Sequence, residues 1–462
     1  MLIGLGSSSI TPIGGKIVVA GSIPVRYTDL VHDDIKAVAM VIKDGNEQTI
    51  WVTCDICHPT KKLTDEVAGA LEKVLPGFNH NQLILTTTHS TACFYLTDEE
   101  VLGRTFDVDY SQIMPLDNAM SQVVNGIVEA VMLAYSNCFV CDVEYSVADI
   151  FTGYCRRVVY KDGTAVMYGN VHREDFLRME YPDGGETQIV YFYKKDTQDL
   201  IGIFVAAPCP AQSDEESLYI TADYWAIVRE TLKSKLGSVE IFGVCRSAGE
   251  LSPRKMISDS QGCVVNELGY DVTKRLGERI AESIIQEKKR PILKITAKEL
   301  LHKRFTFEIA YPLIKATKKM VEEAKKYFQN KNNFDESGKA FDWRKQANAM
   351  RVLNAYEIKE KFYKARSSVF SMGKLLFYTT PCELFTEYAK RINTSFSQNP
   401  VIDVQLTNDY IGYLPTIEAI KHGGYSTEIS SRVTTSVGGE VLIESITEML
   451  KKLCNYINIK EK

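Results

Sequence analysis

The sequence predicts an α/β fold, a mixed central sheet or sheets flanked by helices. Apolar runs rich in β-branched residues alternate with amphipathic stretches along all 462 residues. Asp-Gly and related turns join neighbouring runs, so hairpins occur among the crossovers and the sheet is mixed. No internal repeat, low-complexity tract or Pro/Gly-rich linker breaks the alternation, and a single domain over residues 1–462 is expected.

Ala37–Ile42 and Thr49–Thr53 read as a hairpin turning at Lys43-Asp-Gly45-Asn. Leu63, Val67, Leu71 and Val74 fall at helical spacing, and Pro76-Gly77 ends that helix. Leu83–Leu85 is a short buried strand running into Thr86-Thr-Thr-His89-Ser-Thr, and Tyr110–Ala134 reads as one long helix. Val143–Ala148 and Val158–Tyr168 are strand-like, and Ile189–Tyr193 pairs with Leu200–Ala206 around Lys195-Asp-Thr. Leu218–Leu232 and Val265–Glu287 read as helices with the strand Val239–Val244 between them, and residues 291–310 read as extended. The polar stretch Lys318–Arg344 reads as two helices around an exposed loop, the core of a helical insertion over about 312–362. Val369–Thr379 and Val401–Leu406 are the last strands, and the helix Gly438–Leu453 closes the pattern.

Composition narrows the function. Hydrophobic residues at 45% and charged residues at 24% are ordinary globular values. Lys+Arg 54 against Asp+Glu 59 leaves −5, which removes the electrostatic case for a nucleic-acid partner. No window reaches the ~18 apolar residues of a membrane-spanning helix, so no integral membrane segment is expected. The eleven cysteines cannot all pair, and Cys54 and Cys245 lie in apolar strand-like runs. They read as reduced thiols serving as small hydrophobes. Met1-Leu-Ile-Gly-Leu-Gly shows neither a basic n-region nor an h-region, so a cytoplasmic location is expected. A homo-oligomer is compatible with the composition.

In sheet enzymes, chemistry collects where strands end and loops begin. Five such loops carry unusual polar residues: Thr86–Thr91 with His89, Ala207–Gln212 with Cys209, Ser247–Arg254 with Ser252, Thr380–Phe385 with Glu383, and Asn408–Thr416 with Tyr413. Gly423-Gly-Tyr425 lies beyond the last. In this order they resemble the neutral/alkaline (non-lysosomal) ceramidase family. Ser9-Ile-Thr-Pro12-Ile-Gly14 is similar to its Ile-Thr-Pro-x-x-Gly signature, and Val52-Thr-Cys-Asp55 to a strand ending in Asp. Thr86–Thr91 stands where the family reads Thr-His-Thr-His-Ser-Gly. Gly153-Tyr-Cys-Arg156 resembles Gly-x-Asn-Arg, and Ala248–Arg254 resembles Ala-Gly-Asp-x-Ser-Pro-Asn/Arg. Pro381-Cys-Glu383 resembles Pro-Gly-Glu, and the Gly412-Tyr413 segment resembles Gly-Tyr-Val-Thr-Thr. The resemblance spans nearly the whole chain and covers the family's catalytic region, without its C-terminal immunoglobulin-like domain.

The resemblance implies zinc-dependent cleavage of an N-acyl amide, with a small-molecule N-acyl substrate as partner. It implies catalytic roles for His89 in proton transfer, Ser252 as nucleophile or site serine, Arg156 on the scissile carbonyl, and Tyr425 as a second site tyrosine. It implies Cys209, Glu383 and Tyr413 as metal ligands. Two positions depart from the pattern: Thr87 stands where the first ligand His would be, and Cys209 where the second would be. A thiolate is an acceptable zinc ligand, whereas a neutral hydroxyl is a poor substitute for imidazole. The residues read alone leave three outcomes open. One is a metal-activated water. Another is a Ser252 or Cys209 nucleophile activated by His89 without metal. The third is a binding relative that has lost the chemistry.

The remaining motifs read more plainly. Cys54-x-x-Cys57 and Cys138-x-x-Cys141 are some eighty residues apart, far from zinc-ribbon spacing, and read as structural. His58 and His32 read as exposed polar residues. His172, in a charged loop, is a candidate to supply a missing ligand. The Lys315–Lys326 run is a solvated helix face, and Gly4-Leu-Gly6 lacks the context of a dinucleotide fingerprint.

Overall fold

A computed structural model describes residues 1–21, 26–96, 110–257, 267–333 and 342–460. In chain order the first strands are β1 (Leu2–Ser9), β2 (Ile17–Val19), β3 (Arg26–Thr28), β4 (Lys36–Asp44), β5 (Glu47–Cys54) and β6 (Leu83–Thr87), with helix α1 (Lys61–Val74) before β6. Helix α2 (Leu116–Ser136) leads into β7 (Cys138–Cys155), β8 (Arg157–Tyr160), β9 (Ala165–Met167), β10 (Phe176–Met179), β11 (Gly184–Lys194) and β12 (Leu200–Ala207). Then come α3 (Tyr224–Leu236), β13 (Glu240–Cys245), β14 (Leu251–Ser252), α4 (Tyr270–Glu287), β15 (Leu293–Ile295) and β16 (Arg304–Pro312). Helices α5 (Lys318–Gln329) and α6 (Trp343–Glu357) precede β17 (Phe362–Met372), β18 (Leu375–Thr379) and β19 (Glu383–Leu384). Helix α7 (Thr386–Thr394), β20 (Val401–Val404), β21 (Tyr413–Leu414), α8 (Ile417–His422) and α9 (Gly438–Lys460) end the chain.

The main sheet runs β13-β12-β11-β7-β1-β4-β5-β6, with β14 and β15 also on β7. It is mixed: β5–β6 and β12–β13 are parallel, and the other pairs are antiparallel. A second sheet runs β16-β17-β18-β20. Alternation along β4 shows how the layers stack, because both faces of this strand are buried. Ala37, Ala39 and Val41 face a core completed by α1, α2, α3 and α4. Val38, Met40 and Ile42 face the second sheet. Trp51 seals that sheet-on-sheet core, with its ring 5.0 to 5.1 Å from Phe204, Phe242 and Phe370. Helices α7 and α9 cover the far side of the second sheet through Tyr388, Leu442, Ile446 and Leu450. The order is helix, sheet, sheet, helix. Among the described residues no helix is long and apolar enough to cross a membrane.

Several elements differ from expectation. The Tyr110–Ala134 helix begins only at Leu116, because Pro115 serves as its N-cap. The Leu218–Leu232 helix begins at Tyr224, where the Asp223 side chain accepts from the Tyr224 amide. Of the Val265–Glu287 helix, residues 265–266 lie outside the described residues and the helix is Tyr270–Glu287. Val369–Thr379 is two strands folded at Gly373, whose φ of 58° suits a hairpin turn. Gly4 and Gly6 have a structural role: a Cβ on Gly4 would lie 2.0 Å from the Ala134 carbonyl, and one on Gly6 2.6 Å from the Ala134 amide. They let α2 lie directly on the sheet.

Candidate active site

The parallel pairs put the ends of β5, β6, β12, β13, β18 and β20 at one edge, where α/β sheets commonly bind ligands. The β5 and β6 loops continue their ladder past the strands: Thr88 N donates to Cys54 O at 3.0 Å and Ser90 N to Ile56 O at 3.2 Å. Asp55 anchors this corner through two hydrogen bonds from Arg229, at 2.6 and 2.8 Å. The Thr87 hydroxyl donates to the Cys57 carbonyl at 3.3 Å, so the residue standing in the first ligand position clamps the neighbouring loop.

His89 sits at φ 60°, a left-handed conformation uncommon outside glycine. Tyr168, Asn408 and Ser426, with φ between 53 and 74°, are also left-handed. Such strain concentrates at functional sites. Asn408 is held by its side chain, which accepts from the Leu85 amide at 2.9 Å and so ties the Tyr413 loop to β6.

His89 uses both ring nitrogens. Nδ1 lies 2.6 Å from the Cys57 carbonyl and 3.7 Å from Cys57 Sγ. Nε2 lies 3.2 Å from Glu383 Oε2. The other Glu383 oxygen accepts from the Tyr410 hydroxyl at 2.7 Å. The parallel pair β19–β21 sets Glu383 directly opposite Tyr413. Arg156 Nη2 donates to the Tyr413 hydroxyl at 3.2 Å and to Gly249 O at 3.1 Å, and stands 4.0 Å from Glu383. Gly249 is required there, since a Cβ would lie 2.8 Å from the Glu383 carbonyl. The Tyr425 ring packs edge-on against Tyr413 at 5.5 Å. His58 stacks on Tyr410 at 4.0 Å between ring centres.

Electrostatics follow the geometry. Burial raises the Glu383 pKa, but the His89 charge and hydrogen bond and the Arg156 charge overcome it and bring it down to about 2. Burial lowers the His89 pKa, and Glu383 and Cys57 raise it well above the usual imidazole value. Burial raises the Cys57 pKa, while the His89 charge and hydrogen bonds from His58 and His89 bring it down to about 6. The Tyr413 and Tyr410 hydroxyls are pushed well up by burial and by Glu383, so both stay protonated.

The fold thus brings His89, Glu383, Arg156, Tyr413 and Tyr425 together. Ser252 borders the cluster through Tyr168, accepting from the Tyr168 hydroxyl and the Arg254 amide, both at 3.1 Å. Tyr168 in turn accepts from Arg156 at 3.3 Å. Cys209 turns its thiol to the Pro210 carbonyl at 3.4 Å inside the apolar core, and burial together with Cys245 and Asp223 pushes its pKa well up. His172 lies on an exposed turn and adds nothing to the cluster. Sequence reasoning missed Cys57, His58 and Tyr410. His58 is half-buried and ring-stacked rather than exposed, and Cys57, while part of the apolar core, also faces an imidazole. The available signal was the place of Cys57 at the end of one parallel strand, beside the strand that leads to His89.

The donor set does not fit zinc. Both oxygens of Glu383 are engaged by His89 and Tyr410, the Tyr413 hydroxyl by Arg156, and the Cys209 thiol by a backbone carbonyl. A guanidinium already places positive charge beside the carboxylate. Among the described residues, no group of three or more His, Cys, Asp or Glu side chains could hold a metal ion.

No family model and no curated protein matches the chain. Solved structures that share its fold include two ceramidases. A neutral ceramidase from Pseudomonas aeruginosa aligns over 96% of this chain and 73% of its own, with a TM-score of 0.68 and 15% identity. A structure described as ceramidase complexed with C2 aligns over 98% and 75%, with a TM-score of 0.68 and 14% identity. The mixed α/β architecture of this chain is therefore that of the neutral ceramidase neighbours.

Proposed function

We propose that the protein hydrolyses an N-acyl amide bond. The observation that supports this best is the buried His89–Glu383 pair facing Arg156 and the Tyr413 hydroxyl. An amide is cleaved when a nucleophile is activated, the carbonyl oxygen is stabilised as it becomes anionic, and the leaving amine is protonated. His89 supplies the proton transfer, held in orientation by Glu383. Arg156 and Tyr413 supply donors for the developing oxyanion. The amide class rests on the fold shared with ceramidases, joined to this cluster.

A panel of N-acyl compounds tests the reading, spanning long-chain N-acyl amino alcohols, N-acyl amino sugars and N-acyl amino acids. Turnover of at least one is expected, with His89→Ala lowering kcat by roughly 100-fold or more. Absence of turnover across the panel, or full activity in His89→Ala, would sink the proposal.

A further inference from the structure

We infer that Cys57 is the nucleophile of this site, activated by His89 and oriented through Glu383. The inference rests on the amide-hydrolase reading and names the attacking atom within it. Its support is geometric. Cys57 Sγ is 3.7 Å from His89 Nδ1, and His89 Nε2 is 3.2 Å from Glu383 Oε2. A nucleophile beside a base, with the base oriented by a third group, is the general arrangement of nucleophilic catalysis. Among the described residues neither alternative has a hydrogen bond to an imidazole: Ser252 Oγ accepts from the Tyr168 hydroxyl and the Arg254 amide, and Cys209 Sγ lies in the core on the Pro210 carbonyl.

The surroundings fit a reactive thiol. Two bonds hold the Cys57 carbonyl, from the Thr87 hydroxyl and from His89 Nδ1, and so fix the backbone that carries the sulfur. Cys57 retains 9% exposure, against 0% for Cys54, Cys93 and Cys209. Among the described residues, the buried Arg156 Nε has no hydrogen-bond partner. Its guanidinium therefore retains a donor after binding Tyr413, Gly249 and Tyr168.

The chemistry closes without a further reagent. The Cys57 thiolate attacks the acyl carbon, a C–S bond forms, and the carbonyl π pair moves to oxygen beside Arg156. The tetrahedral species collapses, the C–N bond breaks, and the amine departs with the proton from His89 Nδ1. Water then attacks the thioester and gives its proton to His89. The C–S bond breaks, releasing the carboxylic acid and restoring the thiolate–imidazolium pair.

Two measurements decide the matter. The first follows turnover of the best panel substrate by Cys57→Ser and Cys57→Ala, with thermal melting to confirm folding, and intact-mass analysis of the wild type after rapid acid quench. Loss of roughly 100-fold or more in kcat is expected, with one acyl group trapped on the Cys57 peptide. Turnover within about three-fold of wild type in folded Cys57→Ala overturns the inference and leaves the amide-hydrolase proposal standing. The second needs no substrate: the native protein is treated with iodoacetamide at neutral pH and mapped by peptide. Cys57 is expected to react at least about ten-fold faster than any other thiol, and His89→Gln to abolish that advantage. Ordinary reactivity at Cys57, or reactivity indifferent to His89, overturns the inference even if no substrate of the panel is cleaved.

Discussion

Glu383 would normally hold its proton in so dry a place; the adjoining imidazole and guanidinium reverse that and keep it ionised. Replacing it with Gln keeps the shape but removes the charge that holds His89 protonated, so Glu383→Gln should cost roughly 1,000-fold in kcat, read by steady-state kinetics. Tyr410→Phe removes one hydrogen bond to that carboxylate and should cost about ten-fold, with Tm nearly unchanged. His302 offers a pH test away from the site. It is buried between Thr49 Oγ1 and the Ser371 carbonyl, each at 2.8 Å, and burial lowers its pKa from 6.5 to about 4. The unfolded chain therefore takes up a proton that the folded one refuses, so its contribution is intact above 6.5 and is lost as pH falls toward 4. Wild type should lose on the order of 3 kcal/mol across that window relative to His302→Gln, measured by denaturant unfolding. At this scale the sequence showed which residue types stand at strand ends, and His89, Glu383, Tyr413 and Arg156 could be singled out. Cys57 could not, because an ordinary and an activated thiol differ only in what the fold sets beside them.

Among the elements, β1 and α2 show how closely backbone can approach backbone when side chains are absent. Gly6→Val would drive two methyls into α2 near Ala134, and a fall in Tm equivalent to at least about 2 kcal/mol is expected. Gly69→Ala is the contrasting change: it lies within α1 with open space at its Cβ, and should raise stability by about 0.5–1 kcal/mol. The hairpin β4–β5, helix α1 and strands β11 and β12 were legible because their periodicity is local. The start of α2 was blurred because Met114-Pro115 continues the apolar pattern that its cap interrupts. β1 was not legible, since a Gly-Leu-Gly strand looks like a loop until α2 is known to cover it.

In the whole molecule, the two-sheet core sets six strand ends at one edge, and hydrogen bonds such as that from the Leu85 amide to Asn408 tie the loops there together. Dialysis against a chelator and subsequent addition of zinc should each leave turnover within about two-fold; a zinc-dependent rise of ten-fold or more would contradict the donor-set reading. The α/β class and the mixed sheet followed from alternation and turns, while the second sheet and its Trp51 seal depend on contacts distant in sequence. One feature of the site reaches into the making of the chain. Cys57 and His89 leave the ribosome well before Glu383, which lies more than 300 residues beyond Cys57. Until that residue is made, the histidine has no carboxylate partner. Activation of the sulfur then waits on a distant part of the chain, so a polypeptide stopped before Glu383 carries the nucleophile in unarmed form.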